Sequence, residues 1–179
     1  MGHGYNIMKT ILINPDNVLD GDIYKEVVRV KGILLNMNDE LLLGYSYGAY
    51  QFPGGHHEGN ESLEDTLKRE IKEETGMDID LTNNKPFLLL KTYYKDYYGT
   101  GKNKCNKIYY IAIKTNKLPI LPKTNYTEEE IKGDFELRYV PLKDVKRVLI
   151  ENAEDNELAE GIAREMIIAL NYYINNIRR

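Results

Sequence analysis

The chain has no tryptophan, only three phenylalanines, and a single cysteine, Cys105. One thiol cannot build an intrachain disulfide framework or supply the paired cysteines of a zinc finger. No apolar run approaches the ~20 residues that span a bilayer, and the amino terminus lacks the apolar stretch of a secretory signal. Met1-Gly2 is followed by Asn6, where a myristoylation signal needs Ser or Thr. The cytoplasm is therefore the expected location, without a membrane partner. Positive charge is also short: 24 Lys and Arg against 28 Asp and Glu leave a net charge of −4. A broad basic surface is thereby excluded, and no duplex nucleic acid is expected as a partner.

What is present is enough for one domain with a sizeable core: 179 residues, 42% of them hydrophobic. Tyrosine is abundant at fifteen residues. Its ring is apolar and its hydroxyl needs a partner, so some tyrosines suit a polar pocket or an interface.

Residues 1–25 read as a lead-in, with a short strand in "MKTILI" and a turn in "NPDN". Val28, Val30 and Gly32 to Leu35 form a strand, Asn36 to Glu40 a turn, and Leu41 to Leu43 the return strand of a hairpin. A helix of roughly Ser62 to Thr75 follows, stopped by Gly76. Ser62 with Asp65 three residues on has the spacing of a capping box. "FLLLKTYY" and "IYYIAIKT" are further strands around a polar loop, and "NKLPILPKTNYTEEEIKGD" is a long irregular link. "FELRYVPLKDVKRVL" gives a strand, a Pro-marked turn and a short helix. Leu158, Ile162, Met166, Ala169, Leu170 and Tyr173 recur at near-helical period, which predicts an amphipathic helix over about 154–177. The order is not the βαβ alternation of a doubly wound sheet. It predicts an α+β sandwich in a single domain, 1–179, with its core over about 25–150. The last helix could pack back on the domain or form a homodimer interface; both readings stay open.

On a wheel of about 100° per residue, Leu63, Leu67 and Ile71 form the buried stripe of the first long helix. Glu70 and Glu74 fall within roughly 60° of that stripe, with Glu73 just beyond Glu70. Ionised carboxylates in such a place are costly unless a cation compensates them. Arg69 is four residues before Glu73, but Glu70 and Glu74 have no cation at that spacing. A divalent ion is the economical compensation, and oxygen ligands suit Mg2+ or Mn2+. The turn Pro53-Gly54-Gly55 lets the backbone approach the same place. A Glu-rich surface helix behind a glycine loop is the alternative, and composition alone does not choose between them.

Gly55, Glu61, Arg69, Glu70, Ile71, Glu73, Glu74, Gly76 and Met77 fill every specified position of the Nudix box, after a "QFPGG" lead-in. The chain thus resembles the Nudix hydrolases, of the MutT kind. The resemblance implies an α/β/α sandwich, a mixed sheet flanked by helices, here with an extra C-terminal helix. It implies hydrolysis of a nucleoside diphosphate linked to another moiety, with Mg2+ or Mn2+. By the same resemblance Glu70, Glu73 and Glu74 are expected to hold metal, with Gly55 as a carbonyl ligand. Arg69 is expected to orient a glutamate, and Glu61 to support the site. His56 and His57 depart from the usual lead-in to the helix. A general base is expected outside the box, with Glu129 chosen among Glu128, Glu129 and Glu130; Glu136 is the further acid nearby.

The substrate expected is a small nucleotide: a nucleoside triphosphate, a dinucleoside polyphosphate or a nucleotide sugar. The arginine-bearing segment of the coenzyme A subfamily and the proline of the ADP-ribose subfamily are lacking. Tyr93 and Tyr94 lie near where dinucleoside-polyphosphate enzymes carry a tyrosine. Capped or triphosphorylated RNA is less favoured by the acidic total, although Lys102, Lys104 and Lys107 make a small basic loop. A catalytically weak nucleotide-binding or sensor module is the alternative; the retained glutamates favour an enzyme.

Overall fold

The computed structural model describes residues 8–154 and 156–178. The terminal residues that bear on acylation and secretion lie outside them. The elements are β1 (Lys9–Ile13), β2 (Ile23–Leu35), β3 (Glu40–Ser46), β4 (Ala49–Gln51), α1 (Leu63–Thr75), β5 (Leu88–Tyr94) and β6 (Asn103–Lys114), then α2 (Glu128–Lys132), β7 (Glu136–Pro141), α3 (Leu142–Ala153) and α4 (Glu157–Tyr172). A π turn, Tyr173–Ile177, ends the last helix.

The described strands form one mixed sheet in the order β1-β5-β6-β2-β3-β4, with β7 on the other side of β3. The predicted hairpin is present but short: only Leu34↔Leu42 and Leu35↔Leu41 pair. The main partner of β2 is β6, parallel to it over Ile23 to Leu35. Sequence spacing favours the local hairpin because a long-range parallel pairing leaves no local signal.

Alternation along the strands sorts side chains into two layers. Val30 and Leu34 of β2, Leu42 of β3, and Ile111 and Ile113 of β6 pack with Leu67 and Ile71 of α1. Ile33 and Leu35, Leu41 and Leu43, and Ile108 and Tyr110 pack on the opposite face with α3 and α4. The result is the expected α/β/α sandwich with an added C-terminal helix. Full burial of Leu67 and Ile71 stabilises the α1 contact by about 1.5–3 kcal/mol each.

The predicted C-terminal stripe is largely kept and shifts only at its start. Ala159, Ala163, Met166, Ala169, Leu170 and Tyr173 are buried, whereas Leu158 is exposed. Small alanines, which carry little weight in a periodicity reading, let α4 lie close on the sheet. The helix therefore packs back on its own domain. The link after β6 is also more ordered than predicted, because Thr127 and Glu130 form a capping box that starts α2. No helix among the described residues is long and apolar enough to cross a membrane.

Candidate active site

Helix α1 begins at Ser62, whose hydroxyl accepts the Asp65 amide at 3.0 Å. The Asp65 carboxylate returns to the Ser62 hydroxyl at 2.7 Å, not to its backbone, so the predicted box is half made. The helix ends on Gly76 in the left-handed conformation. Between these caps the wheel is realised: Glu74 is only 3% exposed, and Glu70 and Glu73 are half-buried.

The glycine turn explains how carboxylates fit there. Gly54 has φ +123°, and a Cβ on it would collide with the Val30 carbonyl. Its amide donates to Glu74 Oε2 at 3.0 Å. A Cβ on Gly55 would occupy the place of the Glu70 carboxylate. The Gly55 carbonyl accepts from Val30 N at 2.9 Å, so the edge of β2 already engages the oxygen the resemblance assigns to metal.

Arg69 gathers the acids. Its Nε donates to Glu61 at 2.8 Å, Nη1 to Glu70 at 2.8 Å and to Glu73 at 3.4 Å, and Nη2 to the His56 carbonyl at 3.0 Å. The predicted four-residue pair with Glu73 is the longest of these carboxylate bonds. Hydrogen bonds from Arg69 and then Thr66 hold the Glu61 carboxyl down at about 2. Burial pushes the Glu70 carboxyl up, against the pull of Arg69.

Glu74 meets a cation that helix spacing could not reveal. Lys31, on β2, donates to the Gly54 carbonyl and is the main charge favouring ionised Glu74. Burial raises the Glu74 pKa and lowers that of Lys31. The cations missing at helix spacing are thus supplied in another way: Arg69 reaches Glu70 from the adjacent position, and Lys31 serves Glu74 through space from the sheet.

Around these groups lies a cleft of about 620 Å³, lined by Glu58, Glu70, Glu73, Glu74, Glu129 and Glu130 on its acidic side. Among the described residues no three Asp, Glu, His or Cys side chains converge as a preformed cage. The donor set is nonetheless all oxygen, of the kind that suits Mg2+ or Mn2+. Glu129 accepts from Tyr47 at 3.1 Å and Lys132 at 3.0 Å. Glu130 is committed to its cap on Thr127 at 2.6 Å. Glu128 does not line the cleft, and Glu136 pairs with Arg138 away from it.

His56 accepts from Arg29 at 3.2 Å, and burial and nearby cations lower its pKa. His57 bonds Thr66 at 2.9 Å and supports the helix entry. Tyr93 is buried on Asp20, and neither it nor Tyr94 lines the cleft; Tyr97 and Tyr98 line it instead. The far wall is Leu158, Ile162 and Glu165 of α4. Glu165 is held up in pKa by burial, with Arg29 as its opposing charge. Sequence reading missed Arg29, Lys31, Tyr47 and Glu165. Three of them carry no spacing signal, and Glu165 is hidden beside a stripe of core residues.

This helix, turn and cleft define the box-bearing sandwich class of fold. The family model described as the NUDIX domain matches residues 25–162, and the chain belongs to the Nudix family. The general activity of that family is hydrolysis of phosphoanhydride bonds. The structure is similar to a mutator MutT protein from Bacillus halodurans, at 21% identity over 68% of this chain and 72% of that one, with a TM-score of 0.51. It is also similar to a MutT solved in a comparison of the Aliivibrio salmonicida and Vibrio cholerae proteins, at 20% identity over 68% and 82%, TM-score 0.45. A MutT Nudix hydrolase from Burkholderia pseudomallei is 18% identical over 66% and 84%, TM-score 0.46. At this identity the Bacillus halodurans likeness is one of fold. A search of curated proteins found no match.

Proposed function

We propose that the protein is a pyrophosphohydrolase dependent on Mg2+ or Mn2+, acting on a nucleoside diphosphate derivative. The classes intended are a nucleoside triphosphate, a dinucleoside polyphosphate and a nucleotide sugar. The observation that carries this reading is the meeting of Glu70, Glu73 and Glu74 with cations and tyrosines in one cleft. Glu70, Glu73 and Glu74 would hold the ion, with the Gly55 carbonyl as a further ligand. A bound ion there supplies neutralisation of phosphate oxygens and a lowered pKa for a bound water.

The chain's own residues do the rest. Arg69 fixes Glu70 and Glu73 in position, and Glu61 fixes Arg69. Gly55 leaves the room that Glu70 occupies. Arg29 and Lys31 present positive charge on the cleft floor, where phosphate oxygens need it. Glu129 is the proposed base: it lines the cleft, while Glu130 is occupied as a cap. The reading places the protein in the cytoplasm, in keeping with its lone Cys105. A homodimer would have to use a surface other than the buried face of α4.

The compensation of Glu74 by Lys31 favours one second reading, a nucleotide-binding or sensor module in which the lysine does the ion's part. A substrate panel of nucleoside triphosphates, dinucleoside polyphosphates and nucleotide sugars, with each ion and products identified by mass, separates the two. Turnover to a nucleoside monophosphate, phosphate or pyrophosphate is expected. Binding without turnover on every member supports the module.

A further inference from the structure

Tyr97 stands between two cavities. On one side it lines the carboxylate cleft. On the other, Tyr97 joins Tyr24, Lys25, Lys102 and Lys104 around a second pocket of about 340 Å³ that no acidic side chain among the described residues lines. In a chain of net charge −4, three ammonium groups around one small pocket are a local concentration of the opposite sign. The Lys102 ammonium lies 3.9 Å from the centre of the Tyr24 ring, and Lys104 4.1 Å from that of Tyr97. Lys107 is not counted, because Glu26 neutralises it at 2.6 Å.

Exposed rings lie on both sides of Tyr97, Tyr98 in the cleft and Tyr24 in the second pocket. Tyr98 is 87% exposed and Tyr24 68%. The Tyr97 and Tyr98 rings lie 4.3 Å apart, in a loop where Asp96 and Tyr98 take positive φ of 46° and 55°. A bulky residue is uncommon in that conformation. Burial and then the neighbouring Arg29 and Lys25 lower the Lys104 pKa, and a bound anion would oppose that shift. Ammonium groups set against tyrosine rings at a surface pocket suit ligands that carry a phosphate next to a planar ring.

We propose that this lysine–tyrosine pocket is a second nucleotide subsite, so that the ligand of the cleft carries two nucleotides, one on each side of Tyr97. The inference rests on the reading of the cleft as a nucleotide site. Its chemistry, a phosphate with a base, is met by a dinucleoside polyphosphate and by the 5′ end of a single-stranded oligonucleotide.

The test uses Tyr24→Ala and Lys102→Ala, which alter the second pocket and do not line the cleft. Equilibrium binding to wild type and variants is measured with three probes: ATP, diadenosine tetraphosphate, and a 5′-phosphorylated tetra-adenylate labelled at its 3′ end. Each variant should bind at least one two-nucleotide probe about tenfold more weakly and ATP unchanged. Loss confined to the tetraphosphate identifies a free small molecule; loss confined to the oligonucleotide identifies a strand end. In the latter case Lys102→Ala should also lower the slope of log affinity against log salt by about 0.7, which Tyr24→Ala should not. Equal loss for ATP, no loss for any probe, or no binding of either longer probe to wild type overturns the proposal. Because binding is read without turnover, this failure is distinct from an absence of hydrolysis across the substrate panel.

Discussion

At one end of the cleft the acids come from a single stretch, Gly54 to Glu74; at the other, the walls come from β2, the β3–β4 turn, the β5–β6 loop, α2 and α4. The first end is fixed by helix period and by two glycines, so its geometry follows from local sequence. The second exists only once distant segments meet. Local spacing can therefore place the carboxylates but cannot state what balances them. Arg69 and Lys31 show the difference: one cation lies within the helix, the other on the parallel strand that the helix covers.

The largest effects should come from the two glycines, and they should differ. Gly54→Ala forces a side chain at φ +123° into the Val30 carbonyl, and should cost about 2–4 kcal/mol in urea unfolding. Gly55→Ala meets the mobile end of Glu70 instead. Activity should fall on the order of tenfold or more by displacement of that carboxylate, with a smaller loss of stability. Equal stability losses would contradict this division between backbone and carboxylate.

Next is Lys31→Met, which removes the cation contributed by the sheet. The metal-free protein should lose about 1–2 kcal/mol with the charged hydrogen bond to Gly54. Manganese should bind more tightly, because the Gly54 carbonyl and Glu74 no longer answer to an ammonium group. Calorimetric titration that shows weaker manganese binding would mean Lys31 supports the ion rather than competes with it.

A pH series separates two acids of this one site. Glu61 has a folded pKa lowered to about 2, so its contribution is present above its usual 4.5 and is lost as pH falls from there toward 2. Glu74 has a raised folded pKa, so in metal-free protein stability is lost as pH rises above its usual 4.5 through the raised value. Denaturant unfolding across pH should show Glu61→Gln flattening the acid limb and Glu74→Gln flattening the upper one. A Glu74→Gln profile that matches wild type above pH 5 would contradict the buried placement. The smallest change is expected at Leu158, half exposed on the far wall: Leu158→Ala should shift stability by no more than ~0.5 kcal/mol while raising KM a few-fold.

The box helix, its stop at Gly76 and the inward Glu70 and Glu74 were legible because each depends on neighbours within a turn or two, and the sandwich class because the order of elements carries it. The parallel partner of β2 was not, since β6 lies far along the chain and a long-range pairing leaves no local signal. Helix α2 was obscured by the prolines before it, although its Thr127–Glu130 cap is a readable signal. Tyr93 and Tyr94 have the right spacing for a pocket, yet the strand ends there and the chain turns at Asp96, so Tyr97 and Tyr98 reach the cleft. Met166, Ala169 and Leu170 of the buried face of α4 were legible; Ala159 and Ala163 were not, and the cleft-facing Glu165 carried no signal of its own.

The most direct test of the account is the melting temperature of metal-free protein with and without Mn2+, for wild type, Glu73→Gln, Glu74→Gln and Glu129→Gln. An ion at a hundred times its Kd adds about 2.7 kcal/mol, roughly 5–10 °C for a domain of this size. Wild type and Glu129→Gln should show that shift. Glu73→Gln and Glu74→Gln should lose most of it and about a hundredfold or more in turnover while remaining folded. A Glu74→Gln protein with the full Mn2+ shift and wild-type turnover would contradict the assignment of α1 as the metal-holding wall.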